Sequence, residues 1–225
     1  MACFLFVMVI WVFSVCLHEF GHAWVAERGG DYTVREKGYL SMNPVHYVHP
    51  VTSFLLPMLI MAFGGIGLPG GAVYIERHLL RSRAWETGVS LAGPAMNLLL
   101  VIISALALRF VLIPYHLDNS ATYATAFILK LQISAVLLNL LPIPPLDGFH
   151  AIEPHLSSEW RESLLPFANY GLFALFILFQ SVPAVNRGFW LVINGITTFL
   201  GVDPYLGYQG FFDFQFWKHG SGFTL

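Results

Sequence analysis

Apolar residues along this chain come in long runs rather than in stripes. From Ala2 to Ala26 nearly every position is hydrophobic, and Phe4 through Phe13 contains no polar residue, so a helix here is apolar on every side and suits lipid or a fully apolar protein shell. A helix from about Ala2 to about Arg28, stopped by Gly29-Gly30, rises about 1.5 Å per residue and can cross a bilayer core of roughly 30 Å. Further runs over Thr87 to Ile113 and Ala121 to Leu141 predict two more spanning helices, and Leu164 to Val182 and Phe189 to Leu200 predict two apolar segments around Pro183. Val51 to Leu68 is also apolar, but it contains Pro57 and runs into the glycines between Gly64 and Gly71. Such a segment suits a re-entrant loop or short hairpin rather than a simple crossing. The polar stretch Gly29 to Pro50 holds two strand-like pieces, Tyr32 to Arg35 and Gly38 to Met42, which read as a small β-hairpin or as an ordinary connecting loop. Prolines 142, 144 and 145 must break whatever helix reaches them.

Composition agrees with the pattern. Of 225 residues, 56% are hydrophobic and only 11% are charged, and the mean hydropathy is +0.67. There are too few charges to cover a soluble globule. The expected architecture is an all-α polytopic membrane protein with about four to six transmembrane helices, a re-entrant segment and the small hairpin. It reads as one integral-membrane domain over 1–225, with a core over about 1–155, accessory helices over about 160–203 and a tail over 204–225. The tail, rich in Gly and Phe, predicts no element. A formal net charge of −2 gives no basic footprint for nucleic acid. Cys3 and Cys16 both fall in the first apolar helix, where a disulfide between them is geometrically excluded and packing is the expected role. The N-terminus carries no Lys or Arg before its apolar run and no small-residue cleavage pattern after it, so it reads as a retained spanning helix.

Inside that first helix lies Leu17-His18-Glu19-Phe20-Gly21-His22, an H-E-x-x-H pattern. His18 and His22 stand one turn apart on one face and can share a metal ion, while Glu19 beside them can take a proton from a water at that ion. This is the pattern of a zinc hydrolase, with one zinc per chain. His18 lies roughly 20 Å along the helix, below the membrane surface. Two histidines and a glutamate at that depth are costly without a role.

Catalytic zinc takes three protein ligands and leaves a fourth position for water. The remaining candidates, Asp147, His150 and Glu153, follow the proline break. Asp147 comes directly after it, and a carboxylate there requires a cation. Two crossings, Thr87 to Ile113 and Ala121 to Leu141, bring the chain back to the side of His18 and His22, provided that Val51 to Leu68 does not cross. On this topology Arg28, Arg35, Lys37, Arg77, Arg81, Arg83, Arg161 and Lys218 share one side, leaving Arg109, Lys130 and Arg187 towards the other. The positive-inside rule then turns the end bearing the site towards the cytoplasm, in an integral, multi-pass protein of the cell membrane.

Three motifs in order, His18-Glu19-Phe20-Gly21-His22, Ala92-Gly93-Pro94-Ala95-Met96-Asn97 and Asn139 to Gly148, resemble the site-2 protease family of intramembrane zinc metalloproteases. Ser41 to Pro50 is similar to the compact branch of that family, without PDZ or CBS domains, although His49 stands where the branch usually shows an acidic residue. The resemblance implies that His18, His22 and Asp147 bind zinc and that Glu19 is the general base. It further implies regulated intramembrane proteolysis of a transmembrane or membrane-associated polypeptide in the lipid bilayer. Asn139 is expected to orient a substrate carbonyl or its oxyanion. Asn97 fits either that role or a hydrogen bond between helices. His46, His49, His150 and His155 read as interfacial or supporting residues. A non-proteolytic membrane zinc protein, a transporter or a scaffold relative, is the alternative; few polar residues line a path for the first, and a scaffold has no need of Glu19.

Overall fold

The computed structural model describes residues 1–46, 73–115 and 118–218. The Val51 to Leu68 segment and His49 lie outside them.

The apolar runs become helices close to their expected bounds. α1 is Ala2–Gly29, a single helix of 28 residues. It ends because Gly30 adopts φ +121°, a left-handed conformation in which its N–H returns to the carbonyls of Ala26 and Glu27. α2 is the short Thr33–Glu36. α3, Arg83–Ala107, starts where the Ser82 hydroxyl accepts from the Trp85 N–H, and it runs on through a π-helical turn, Leu108–Leu112. α4, Asn119–Asn139, is capped by the Asp118 carboxylate, which accepts from the Ser120 N–H at 2.7 Å. After the proline break come α5, Asp147–Ile152, and α6, Ser158–Leu164. α7, Ala168–Ser181, and α8, Pro183–Phe199, follow. The last helix is α9, Pro204–Phe214.

Among the described residues α1, α3 with its π turn, and α4 are long and apolar enough to cross a membrane. α7 and α8 bend by 95° at Val182, so the pair makes either a broken fourth span or a re-entrant turn. The all-α polytopic architecture is therefore present, with three such helices among the described residues, or four spans if the bent pair is one.

The hairpin is not. No strand occurs among the described residues, and Thr33 to Glu36 is helical. The cause is Asp31, which is fully buried after α1. Its carboxylate accepts from the Thr33 N–H at 3.0 Å and the Thr33 hydroxyl at 2.6 Å, closing a tight turn that starts α2 instead of extending the chain. Its second oxygen accepts from the Glu76 N–H at 2.8 Å, and the Arg81 N–H donates to the Gly29 carbonyl at 2.9 Å. The returning segment, residues 73–82, is thereby fixed across the charged end of α1.

α4 is the central helix: 72% of its most apolar window is buried, against 28% for α3. One side packs with α1 and α9 through Val7, Trp11, Phe127, Leu131 and Phe214. The other packs with α3 and α8 through Val101, Leu108, Leu129 and Ile193. Lipid is as apolar as these side chains, so burial alone does not drive such contacts; close backbone approach does. α9 supplies one such approach and was not foreseen in the tail. Pro204 at its first turn and Asp203, which accepts from the Tyr205 N–H, start it, and Gly207 and Gly210 face α4. A Cβ on Gly210 would run into the Tyr123 carbonyl and lie 2.7 Å from the Phe127 Cβ. Gly210→Val is expected to push α9 off α4 and to destabilise the protein by about 1–3 kcal/mol. The thermal unfolding midpoint in detergent reads this, and an unchanged midpoint would contradict the docking of α9.

Candidate active site

The H-E-x-x-H turn of α1 sits deep between α3 and the proline break. His18, Glu19 and His22 are 6%, 5% and 7% exposed, which no ionisable group tolerates without partners. The two imidazoles meet at right angles, with Nε2 atoms 3.1 Å apart. Each is oriented from behind. His22 Nδ1 donates to the Val89 carbonyl at 2.7 Å, and His18 Nδ1 donates to the side-chain oxygen of Asn97. Both partners are oxygens that can only accept, so the ring protons sit on Nδ1 and the Nε2 lone pairs face each other.

The proline break delivers the third acceptor. α4 ends at Asn139, the chain turns through Pro142 to Pro145, and α5 opens with Asp147. Its carboxylate oxygens stand 3.2 Å from His18 Nε2 and 3.4 Å from His22 Nε2. Asp147 Oδ2 is buried without a hydrogen-bond donor. Three acceptors converging in this way repel one another unless a cation lies between them. Among the described residues, His18, His22 and Asp147 alone form such a group, with ligand atoms all within 4.8 Å of one another. Separations of 3.1 to 3.4 Å match the edge of a tetrahedron, roughly 3.3 Å, built on metal–nitrogen and metal–oxygen bonds of about 2.0–2.1 Å. The donor set suits zinc.

Opposite the two Nε2 atoms, α3 presents backbone rather than a side chain. A Cβ on Gly93 would collide with His22 Nε2 and come 2.6 Å from His18 Nε2. The next residue, Pro94, is inside the helix, so the Ala92-Gly93-Pro94 stretch leaves a recess on α3 opposite the two rings.

A cleft of about 540 Å³ opens in front of the group, lined by His18, Glu19, His22, Asn139, Asp147 and His150 among others. Asn139 Nδ2 is buried and has no hydrogen-bond partner. Asn97 does not line this cleft, and both ends of its amide are occupied: Oδ1 on His18, and Nδ2 on Gln132 Oε1 at 2.8 Å and Ser14 Oγ at 3.3 Å. Of its two readings, the geometry supports the hydrogen bond between helices.

The other candidate ligands are engaged elsewhere. Glu153 pairs with Arg77 at 2.6 Å and with His150 Nδ1 at 3.0 Å. Burial pushes the Glu153 carboxyl up, but the His150 hydrogen bond and the Arg77 charge outweigh it and hold the group below its ordinary range. The tie therefore stabilises the cleft rim above pH about 4.3 and weakens as pH falls through the lowered value. His155 meets the Thr87 hydroxyl at 3.0 Å, and His46 contacts Ser41 and Gly38. Gln132 and Ser14 were missed, although polar residues within apolar helices are a readable signal.

Comparison with known proteins places the chain among zinc metalloproteases. No family model matches the chain, and no solved structure does. The chain is 44% identical over 215 residues to a protein of Mycolicibacterium smegmatis named zinc metalloprotease Rip2, covering 96% of this chain and 82% of the relative. A Mycobacterium tuberculosis protein of the same name is 45% identical, covering 95% and 82%. The Bacillus subtilis protein named zinc metalloprotease YwhC is 29% identical over 196 residues, covering 84% and 86%. Identity of this degree over nearly the whole chain, together with its apolar helices, identifies a membrane metalloendopeptidase that uses zinc. The chain belongs to the site-2 protease family of zinc metalloproteases.

Proposed function

We propose that His18, His22 and Asp147 hold the zinc, and that Glu19 is the general base of a single-domain intramembrane protease acting on transmembrane or membrane-associated polypeptides. The observation that carries this reading is the convergence of three acceptor atoms, within 4.8 Å of one another, on one wall of a cleft that Glu19 also lines.

When bound there, zinc acidifies a water towards neutral pKa and polarises the scissile carbonyl. Glu19 takes the proton from the attacking water and passes it to the leaving amine. Glu19 is buried in α1 yet lines the cleft, where its carboxylate can meet that water. The unpartnered Nδ2 of Asn139, on the same cleft, supports donation to the substrate carbonyl as negative charge develops. Asp31 and the turn into α2 leave Thr33 to Glu36 helical, so this stretch offers no extended edge to which a substrate strand could add.

Depth supports cutting within the membrane, since His18 precedes the charged end of α1 by roughly 16 Å of helix. Orientation follows from charge. Arg28, Arg35, Lys37, Arg77, Arg81 and Arg83 gather where α1 ends and α3 begins, with Arg109 at the far end of α3. That distribution supports a cytoplasmic mouth. Lys130 does not enter this balance, because it is buried in α4 with its ammonium 3.3 Å from the centre of the Tyr208 ring.

Glu19→Gln is expected to retain zinc and to lose cleavage of a transmembrane substrate by roughly 10²–10⁴-fold, whereas Asp147→Ala loses the metal. Detergent-purified protein, with zinc content and cleavage measured on the same samples, tests both; undiminished cleavage by Glu19→Gln overturns the base assignment. Gly93→Ala sets a methyl group against both Nε2 atoms and is expected to lower zinc affinity at least tenfold, by chelator competition. Wild-type affinity in that variant would show that α3 does not border the metal position.

A further inference from the structure

Behind His18, away from the cleft, three helices contribute one polar residue each to a single contact. Ser14 of α1, Asn97 of α3 and Gln132 of α4 are 5%, 3% and 2% exposed. The small space beside them is lined by Trp11, Val15, Leu131 and Ala135, with His18 and Glu19 at its other side. Ser14 Oγ donates to Gln132 Oε1 at 2.8 Å, and Asn97 Nδ2 donates to the same oxygen, also at 2.8 Å. Only about 10 Å³ of open space lies beside them, at or below the volume one water requires, so the contacts are direct.

The direction of this chain matters to the metal position. Asn97 can face His18 with its oxygen or with its NH₂. With the oxygen, His18 carries its proton on Nδ1 and Nε2 is free to bind zinc. With the NH₂, Nδ1 must accept, the proton moves to Nε2, and the ligand is lost. His18 alone does not choose between the two, since either arrangement forms a hydrogen bond. In the structure Gln132 presents Oε1, an acceptor, to the other end of the amide, where it takes the NH₂ and leaves the oxygen for His18.

We propose that Gln132, supported by Ser14, is a positioning residue for the zinc site: it fixes the orientation of the Asn97 amide and, through it, the tautomer of His18. This rests on the assignment of His18 as a zinc ligand. Gln132 touches neither metal nor substrate, and its effect passes wholly through Asn97.

The test is zinc affinity, by chelator competition, and the visible spectrum of the Co²⁺-substituted full-length protein in detergent. Wild type is compared with Gln132→Met, Gln132→Glu, Asn97→Leu and the Asn97→Leu/Gln132→Met double variant. Gln132→Met is expected to weaken zinc roughly 10–100-fold and to broaden the Co²⁺ bands, while Gln132→Glu, which keeps an acceptor oxygen in place, stays within about threefold of wild type. The double variant binds no more weakly than Asn97→Leu alone, as required of residues acting through one contact. Unchanged affinity and spectrum in Gln132→Met, or a double variant in which the two losses add, overturns the proposal. If Gln132→Met fails to fold, Ser14→Ala, which removes the donor that holds Gln132 Oε1, is expected to weaken zinc several-fold, and wild-type affinity there overturns it equally. His18→Ala separates the two levels: zinc lost there but kept in Gln132→Met refutes the positioning role alone, whereas zinc unaffected by His18→Ala refutes the ligand assignment beneath it.

Discussion

Three hydrogen-bond acceptors held a little over 3 Å apart, inside a bundle of apolar helices, are the constraint on which this structure depends. Neutral imidazoles and a carboxylate do not gather in such surroundings unless a cation compensates them. Each nearby feature of the chain serves that gathering. α1 supplies two rings one turn apart. α3 brings bare backbone at Gly93 where any side chain would collide with them. The prolines after α4 stop a helix that would otherwise continue past the site, and they bring Asp147 back to it.

Placement in lipid decides how the parts are held. Hydrophobic association cannot choose partners among apolar helices that lipid solvates equally well, so small residues at crossings and polar contacts between helices do the choosing. Gly210 against the Tyr123 carbonyl and Gly21, whose added Cβ would lie 2.9 Å from the Ala92 carbonyl, are of the first kind. The Ser14, Asn97 and Gln132 contact is of the second, and it joins α1, α3 and α4 directly behind a candidate ligand. Fold and site thus share residues, and a change behind His18 reaches both.

Much of this was legible in the chain because it is local. The i, i+4 spacing of His18 and His22 states its own geometry on a helix, and the end of α1 fell within one residue of its glycines. Asp147 was singled out as the carboxylate directly after the proline break, and its oxygens stand beside both rings. What escaped was long-range or carried by one side chain. Asp31 turns a stretch with strand-like composition into a helical turn, using a Glu76 N–H 45 residues away. α9 has a readable start at Asp203-Pro204, yet its Gly- and Phe-rich sequence resembles a tail until α4 supplies the surface for Gly207 and Gly210. Asn97 was singled out, but which of its two roles it plays depends on Gln132, 35 residues further on.

The central claim concerns which atoms surround the metal, and zinc K-edge X-ray absorption of the purified full-length protein addresses it most directly. The account predicts a first shell of nitrogen and oxygen only, at about 2.0–2.1 Å, with the outer-shell scattering of two imidazoles. A sulfur shell at about 2.3 Å, which would bring Cys16 or Cys3 into the coordination, or a shell with no imidazole scattering, would contradict it.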